Sequence, residues 1–166
     1  MLDLSAFKNA LASFPSGVVI ATAVGPDGEH RGFTASSFSS VSLSPPLVLV
    51  CLAQSANCFD TFCSAEWFGI SVLTPDHESL ARRFASQTAD KFSPPSDFEE
   101  SAHGLKIVSS ALATLICHKH ANYLVGDHSI LVGEVESVKL IEGEDAILHY
   151  RRGFHRLGNR RHAAAG

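Results

Sequence analysis

The chain has 166 residues, 45% of them apolar and 18% charged, with 12 Gly and 7 Pro; these proportions suit one compact domain, 1–166, and exclude disordered and collagen-like classes. Thirteen Lys and Arg against 17 Asp and Glu give a formal net charge of −4, which argues against non-specific nucleic-acid binding as the main role. The longest apolar run, residues 47–53, is far short of the roughly 20 residues a membrane helix needs, and the N-terminus has no basic leader region, so a cytoplasmic protein that contacts no membrane is expected.

Leu4, Phe7, Leu11 and Phe14 recur at helical spacing behind a capping candidate at Asp3 or Ser5, and Pro15-Ser16-Gly17 ends the run. Residues 18–24 and 31–37 read as a hairpin around the turn Gly25-Pro26-Asp27-Gly28. Residues 47–52 read as a fully buried strand, 55–65 as a helix begun by Ser55 or Asn57, 67–73 as a strand, and the stretch to about Phe84 as a helix capped by Asp76. Polar residues 86–103, with Pro94-Pro95, predict a long loop. Strands then follow at 106–108, 113–125, 129–141 and 147–150, read as a β-meander, before a basic tail at 156–166 that frays. Many strands with about three short helices, out of βαβ order, predict a mainly β antiparallel barrel and not a doubly wound sheet.

The motifs G-x-G-x-x-G, G-x-S-x-G and H-E-x-x-H are absent, and Asn159 stands where a P-loop reading of 153–158 requires Lys. The Rossmann, P-loop, serine-hydrolase and zinc-protease readings therefore lose their main support. Residues 32–46, GFTASSFSSVSLSPP, crowd hydroxyls beside an apolar strand. Two readings stand: a solvated connection, or a ligand cradle where small side chains let backbone N–H groups approach a polar, planar or anionic ligand. Gln54-Ser55-Ala56-Asn57 follows an apolar strand at a predicted helix start, as a simple cap or as a phosphate site favoured by the helix dipole. Arg82, Arg83 and Lys91 either complete phosphate binding or are solvated charges.

Cys51, Cys58, Cys63 and Cys117 form no C-x-x-C and no disulfide ladder; they read as reduced thiols, Cys51 as a small buried hydrophobe. His118 and His120 share one strand face, but without a third ligand at diagnostic spacing they define no metal site. His128, in the tight turn Gly126-Asp127-His128, reads as an exposed turn residue or as one facing a substrate at a barrel rim, with Asp127 influencing its protonation.

Together, GFTASSFSSVSLSPPLVLV at 32–50, Asp90-Lys91-Phe92, and Gly126-Asp127-His128 with Gly133 and Val135 closely resemble the short-chain flavin reductase family over nearly the whole chain. The resemblance implies a flavin-binding split β-barrel, a Greek-key antiparallel barrel with a few short helices, usually a homodimer with flavin near the subunit interface. It implies hydride transfer from C4 of NADH to N5 of FAD or FMN, and delivery of reduced flavin to the separate oxygenase component of a two-component monooxygenase. Thr34, Ala35, Ser36 and Ser37 match the segment along the flavin ring and ribityl chain, and Ser42 is counted with the flavin-binding set. Cys51, Leu52, Ala53, Gln54, Ser55 and Asn57 match the second flavin segment, the last two at the phosphate end. Arg83, Ser86, Lys91 and Phe92 match the region that closes over the phosphate or adenylate. His128 corresponds to the histidine near the nicotinamide, and Tyr150, Arg152 and Gly153 lie in the segment beside the dinucleotide, where Phe154 replaces a tyrosine.

Such a reaction needs orientation more than acid–base chemistry, with reacting atoms about 3–3.5 Å apart, so His128 is expected to orient the nicotinamide. NADH is favoured over NADPH because no compact basic pair marks a ribose-phosphate site, an argument that Arg151, Arg152, Arg160 and Arg161 would overturn. The other readings are a tight FMN-binding reductase of another acceptor such as a corrin, a non-enzymatic flavin-binding module, and a structural or metal-binding barrel.

Overall fold

Asp3 accepts a hydrogen bond from the Ser5 backbone N at 2.8 Å and starts α1 (Leu4–Ala12), satisfying one of the donors that a helix start leaves unpaired. The apolar stripe of α1 is left open: Leu4, Phe7 and Leu11, with Phe14 just beyond, are exposed. The structure is a computed structural model describing residues 1–87 and 90–157; the basic tail beyond 157, with Arg160 and Arg161, and part of the predicted long loop lie outside the described residues.

The strands are β1 (Ser16–Gly17), β2 (Val19–Val24), β3 (His30–Ala35), β4 (Ser39–Leu43), β5 (Pro46–Ala53), β6 (Trp67–Val72), β7 (Phe98–Glu100), β8 (Lys106–Val108), β9 (Ala113–Val125), β10 (His128–Leu140), β11 (Ile147–Tyr150) and β12 (Gly153–Arg156). Two further helices are α2 (Phe59–Ser64) and α3 (Glu78–Ala85). Seven strands form one antiparallel sheet in the order β3-β2-β6-β9-β10-β5-β4, so the chain is mainly β and antiparallel, as expected. The second half is not a meander, however. β9 pairs β6 on one side and β10 on the other, β10 also pairs β5, and β11 joins β1 and β12 in a small separate sheet. The two 13-residue strands are long enough to take N-terminal strands along both flanks of their hairpin.

The large sheet rolls around a core drawn from both of its ends, including Phe33, Ala21, Ile70, Cys117, Leu131 and Val50. β5 is buried on one face only: Val48, Val50 and Leu52 are buried, whereas Leu47, Leu49 and Cys51 are half-buried, because the strand takes part in closing a barrel and is not covered on both sides. Cys51 is therefore not the buried hydrophobe expected. Where β3 and β5 approach, a side chain bridges them in place of a ladder. Ser37 Oγ accepts from Cys51 N at 2.9 Å and lies 3.4 Å from Cys51 O.

Three local expectations are corrected. α2 begins at Phe59 with Cys58 at its cap and no side-chain capping bond, because residues 53–59 are occupied by successive turns, Ala56 N to Ala53 O and Phe59 N to Ala56 O. Thr74, with His77 reciprocating, caps a 3₁₀ turn at Pro75–His77 that leads into α3, and Asp76 pairs with Arg156 at 3.2 Å. Within the predicted loop lie two 3₁₀ turns, Pro95–Asp97 and Ala102–Gly104, and strand β7.

α3 buries Leu80, Ala81 and Phe84 against the barrel. Gly32 makes this possible, since a Cβ there would stand 2.6 Å from Phe84 Cε1 and 2.8 Å from the Ala21 carbonyl oxygen. Among the described residues, no helix is long and apolar enough to cross a membrane.

Candidate functional site

A cleft of about 280 Å³ opens between β3, the end of β5, the turns before α2 and the end of α3. It brings together nine of the predicted residues: Thr34, Cys51, Leu52, Ala53, Ser55, Asn57, Ser86, Lys91 and His128. Phe33 and Ala56, which belong to the hydroxyl-rich and 54–57 segments, complete the lining with Cys58, Phe84, Ala85 and Gln87.

The polar groups are partly committed to the fold. The Thr34 hydroxyl donates to Ala81 O at 2.6 Å and ties β3 to α3. Asn57 Nδ2 donates to Gln87 O at 3.2 Å, holding the turn before α2 to the chain after α3. Lys91 Nζ donates to Gly32 O at 2.9 Å, which leaves two of an ammonium's three donors for a ligand. Burial lowers the Lys91 pKa from its ordinary value, and burial pushes the Cys58 thiol up despite nearby Lys91. Because α2 has six residues and starts beyond Asn57, no helix N-terminus stands at residues 54–57; among the described residues lining the cleft, Lys91 is the one Lys or Arg.

His128 opens β10 at the hairpin turn, opposite Ala53 of β5. Gly126 takes φ +61, a left-handed conformation that glycine adopts without steric cost. The Gln54 backbone N donates to Asp127 O and its Nε2 to Gly126 O, both at 2.9 Å, so Gln54 fixes the turn from outside the cleft. His128 Nδ1 lies 2.7 Å from Asp127 Oδ1, and this hydrogen bond holds the Asp127 carboxyl below its ordinary pKa. In the neutral ring that contact puts the proton on Nδ1 and leaves Nε2 as an acceptor.

Other predicted residues lie elsewhere. The Ala35 side chain belongs to the core, and Ser37 bridges the barrel seam. Ser42 Oγ accepts from Ser44 N at 3.2 Å beside the β4–β5 turn. Arg83 reaches Ser93 O and the Asp97 carboxylate, clamping the chain after α3. Ser36 and Arg152 line a separate groove of about 520 Å³ along α1. Arg152 donates to Asn9 Oδ1 at 2.9 Å, while Tyr150 and Gly153 flank the β11–β12 turn. His118 faces Glu66 at 3.4 Å and His120 faces Glu134 at 3.8 Å. The β9–β10 register shifts at His120, and no group of three or more His, Cys, Asp or Glu suited to a metal exists among the described residues.

A second cavity, of about 350 Å³, adjoins the cleft and shares Asn57, Cys58, Gln87 and Lys91 with it. Phe92 lines it with His30, Arg31 and Lys106. The last three were missed from the sequence: Lys106 is brought to β3 only by the tertiary fold, and no linear spacing links it to residues 30 and 31.

An open-seamed antiparallel barrel with a side cleft that joins an apolar wall to one cationic end is the architecture of a flavin-binding reductase domain. The family model described as Flavin reductase like domain matches residues 11–158, and the chain belongs to this family. It is 46% identical over 151 residues to the actinorhodin polyketide dimerase of Streptomyces coelicolor, covering 90% of this chain and 85% of that one. It is 39% identical over 153 residues to the 4-hydroxyphenylacetate 3-monooxygenase reductase component of Thermus thermophilus, covering 92% and 95%. The NADH:FAD oxidoreductase of Streptomyces globisporus, solved with NAD and FAD fragments, superposes with a TM-score of 0.89 at 34% identity over 96% of this chain and 95% of that one. The expected split-barrel fold is thereby established.

Proposed function

We propose that the protein is an NADH-dependent flavin reductase that transfers hydride from NADH to FAD or FMN and passes reduced flavin to a separate monooxygenase. The observation that carries this reading is the cleft itself, whose lining brings Leu52 and Ala53 together with Lys91 and His128. Bound flavin supplies the hydride acceptor. Lys91 and Asn57 meet its phosphate, and His128, held by Asp127 and by the Gln54-fixed turn, orients the nicotinamide at the rim. The Nε2 acceptor suits a carboxamide N–H, so the role of His128 is positioning and not proton transfer.

A homodimer is supported by the exposed apolar stripe of α1 and by Leu43 and Leu124, which are also exposed. An apolar stripe left open along one helix marks an interaction face. Tyr150, Arg152 and Gly153, outside the cleft, are assigned in this reading to the side that faces the dinucleotide. Four free cysteines support a reducing, cytoplasmic setting.

The test is to follow NADH absorbance without flavin, then with FMN, FAD or riboflavin, and to repeat it with NADPH. Turnover should require added flavin and saturate with it; absence of turnover in every pairing overturns the reading. The 46% identity to a polyketide dimerase favours a second reading, in which the reduced flavin serves a polyketide-joining reaction. Both require flavin-dependent NADH oxidation, and they part on whether the oxidised product is monomeric or dimeric.

A further inference from the structure

We propose that Asn122 is a positioning residue for the nicotinamide site: through Ser129 it fixes the direction in which His128 leaves strand β10. The proposal rests on the reading of His128 given above and adds to it the groups that hold the ring in place.

His128 stands at the end of two ladders. It pairs Ala53 of β5 on one side and Val125 of β9 on the other, and only the turn lies beyond. End pairs open most readily, so strand pairing alone holds His128 weakly. The next residue supplies a second anchor. Ser129 is fully buried, and its Oγ donates to Asn122 Oδ1. A buried hydroxyl without a partner is costly, so this bond keeps the Ser129 side chain turned inward. Successive side chains of a strand leave on opposite faces. With Ser129 pinned inward, His128 is directed the other way, to the cleft that it lines.

Asn122 is itself fixed from a third element. Its Nδ2 donates to Cys63 Sγ at 3.2 Å, and the Cys63 carbonyl oxygen accepts from Lys119 Nζ at 2.6 Å. Asn122 and Lys119 both belong to β9, so that strand joins the end of α2 to the start of β10. Both ends of the Asn122 amide are engaged although the residue is exposed, and it is not among the described residues that line the cleft. Gln54 holds the turn before His128; Asn122, through Ser129, holds the strand after it.

The test measures KM for NADH, flavin Kd by fluorescence quenching and melting temperature in the full chain. The variants are Asn122→Ala, Asn122→Asp, Ser129→Ala, His128→Ala and the combination of Asn122→Ala with His128→Ala. Asn122→Ala should raise KM for NADH about threefold, less than loss of the ring itself, and leave flavin Kd within error. Asn122→Asp keeps the Oδ1 acceptor and should recover most of the wild-type KM; a KM as high as that of Asn122→Ala contradicts the link through Ser129. Ser129→Ala removes the donor and should match Asn122→Ala. In the His128→Ala background, Asn122→Ala should add nothing, because a residue that acts through the ring then has nothing left to position. A threefold rise there as well overturns the proposal, as does an unchanged KM in Asn122→Ala, or an equal loss of NADH and flavin binding with a lowered melting temperature. Because Asn122 is exposed, its variants decide the matter even where Ser129→Ala does not fold. If His128→Ala raises KM and Asn122→Ala does not, this inference alone fails; if His128→Ala itself leaves KM unchanged, the nicotinamide reading fails with it.

Discussion

Replacing Lys91 with Met keeps the apolar stem and removes the ammonium, which isolates the charge that the cleft offers a phosphate. In the structure that ammonium spends one donor on Gly32 O at 2.9 Å and keeps two for a ligand. A hydrogen bond to a charged group is worth about 1.5–3 kcal/mol, and the half-buried position of Lys91 places the loss near the lower end, because solvent screens part of the attraction. The Kd for FMN should therefore rise roughly tenfold. Riboflavin, which lacks the phosphate, is the control: its affinity should change by less than about twofold, since the substitution leaves the rest of the cleft lining in place. Fluorescence quenching reads both flavins, and added salt should erode the wild-type advantage for FMN. If both weaken by the same factor, Lys91 acts by holding β3 through Gly32, and the phosphate assignment is wrong.

Four further outcomes are expected. His128→Ala should raise KM for NADH roughly two- to tenfold, the worth of one neutral hydrogen bond, while flavin Kd stays within error; stopped-flow reduction and quenching separate the two. Gly133→Ala should cost about 1–3 kcal/mol by overpacking, because the new Cβ would lie 2.8 Å from Cys117 Cβ and closer still to Phe68 Cζ; denaturant unfolding reads the loss, and an unchanged midpoint contradicts it. Iodoacetamide should label Cys51 and Cys63 before Cys58 and Cys117, since burial pushes the Cys117 thiol up to about 12 and also raises Cys58. FMN should shield Cys51 alone, as mass spectrometry would show. His30 is held below its ordinary 6.5 in the fold, so the unfolded chain binds more protons as the pH falls below 6.5 and stability declines there; His30→Gln should flatten that decline in melting temperature and change nothing at higher pH.

Elements and segments with strong local signals were legible in the sequence. Asp3 capping α1, the β2–β3 hairpin around Gly25 to Gly28, and the Gly126-Asp127-His128 turn each depend on backbone preferences within a few residues, and local preferences are written in local sequence. The hydroxyl-rich segment at 32–46 and Asp90-Lys91-Phe92 carried enough pattern to indicate the family. Weak or competing local signals misled. Asn57 resembled a helix cap, yet its side chain holds Gln87 O thirty residues away, and Ser39–Leu43 resembled a connection, yet pairs with β5 as an edge strand.

The tertiary structure alone decided which groups meet. Thr34 is tied to α3, Ser37 to the barrel seam, and Ser36 and Arg152 to a groove outside the cleft, although the first three are close neighbours along one short stretch of chain. Strand β3 ends at Ala35 and the chain bends at Ser36, so a run that reads as one cradle is divided among several environments. Lys106 reaches the cavity beside His30 and Arg31 because the chain after α3 folds back on the barrel. Residue order fixes the composition of the strands and turns, but contacts between residues far apart in the chain depend on how the sheet rolls and where it stays open. That geometry is set by the packing of the whole core and is not encoded in any one segment.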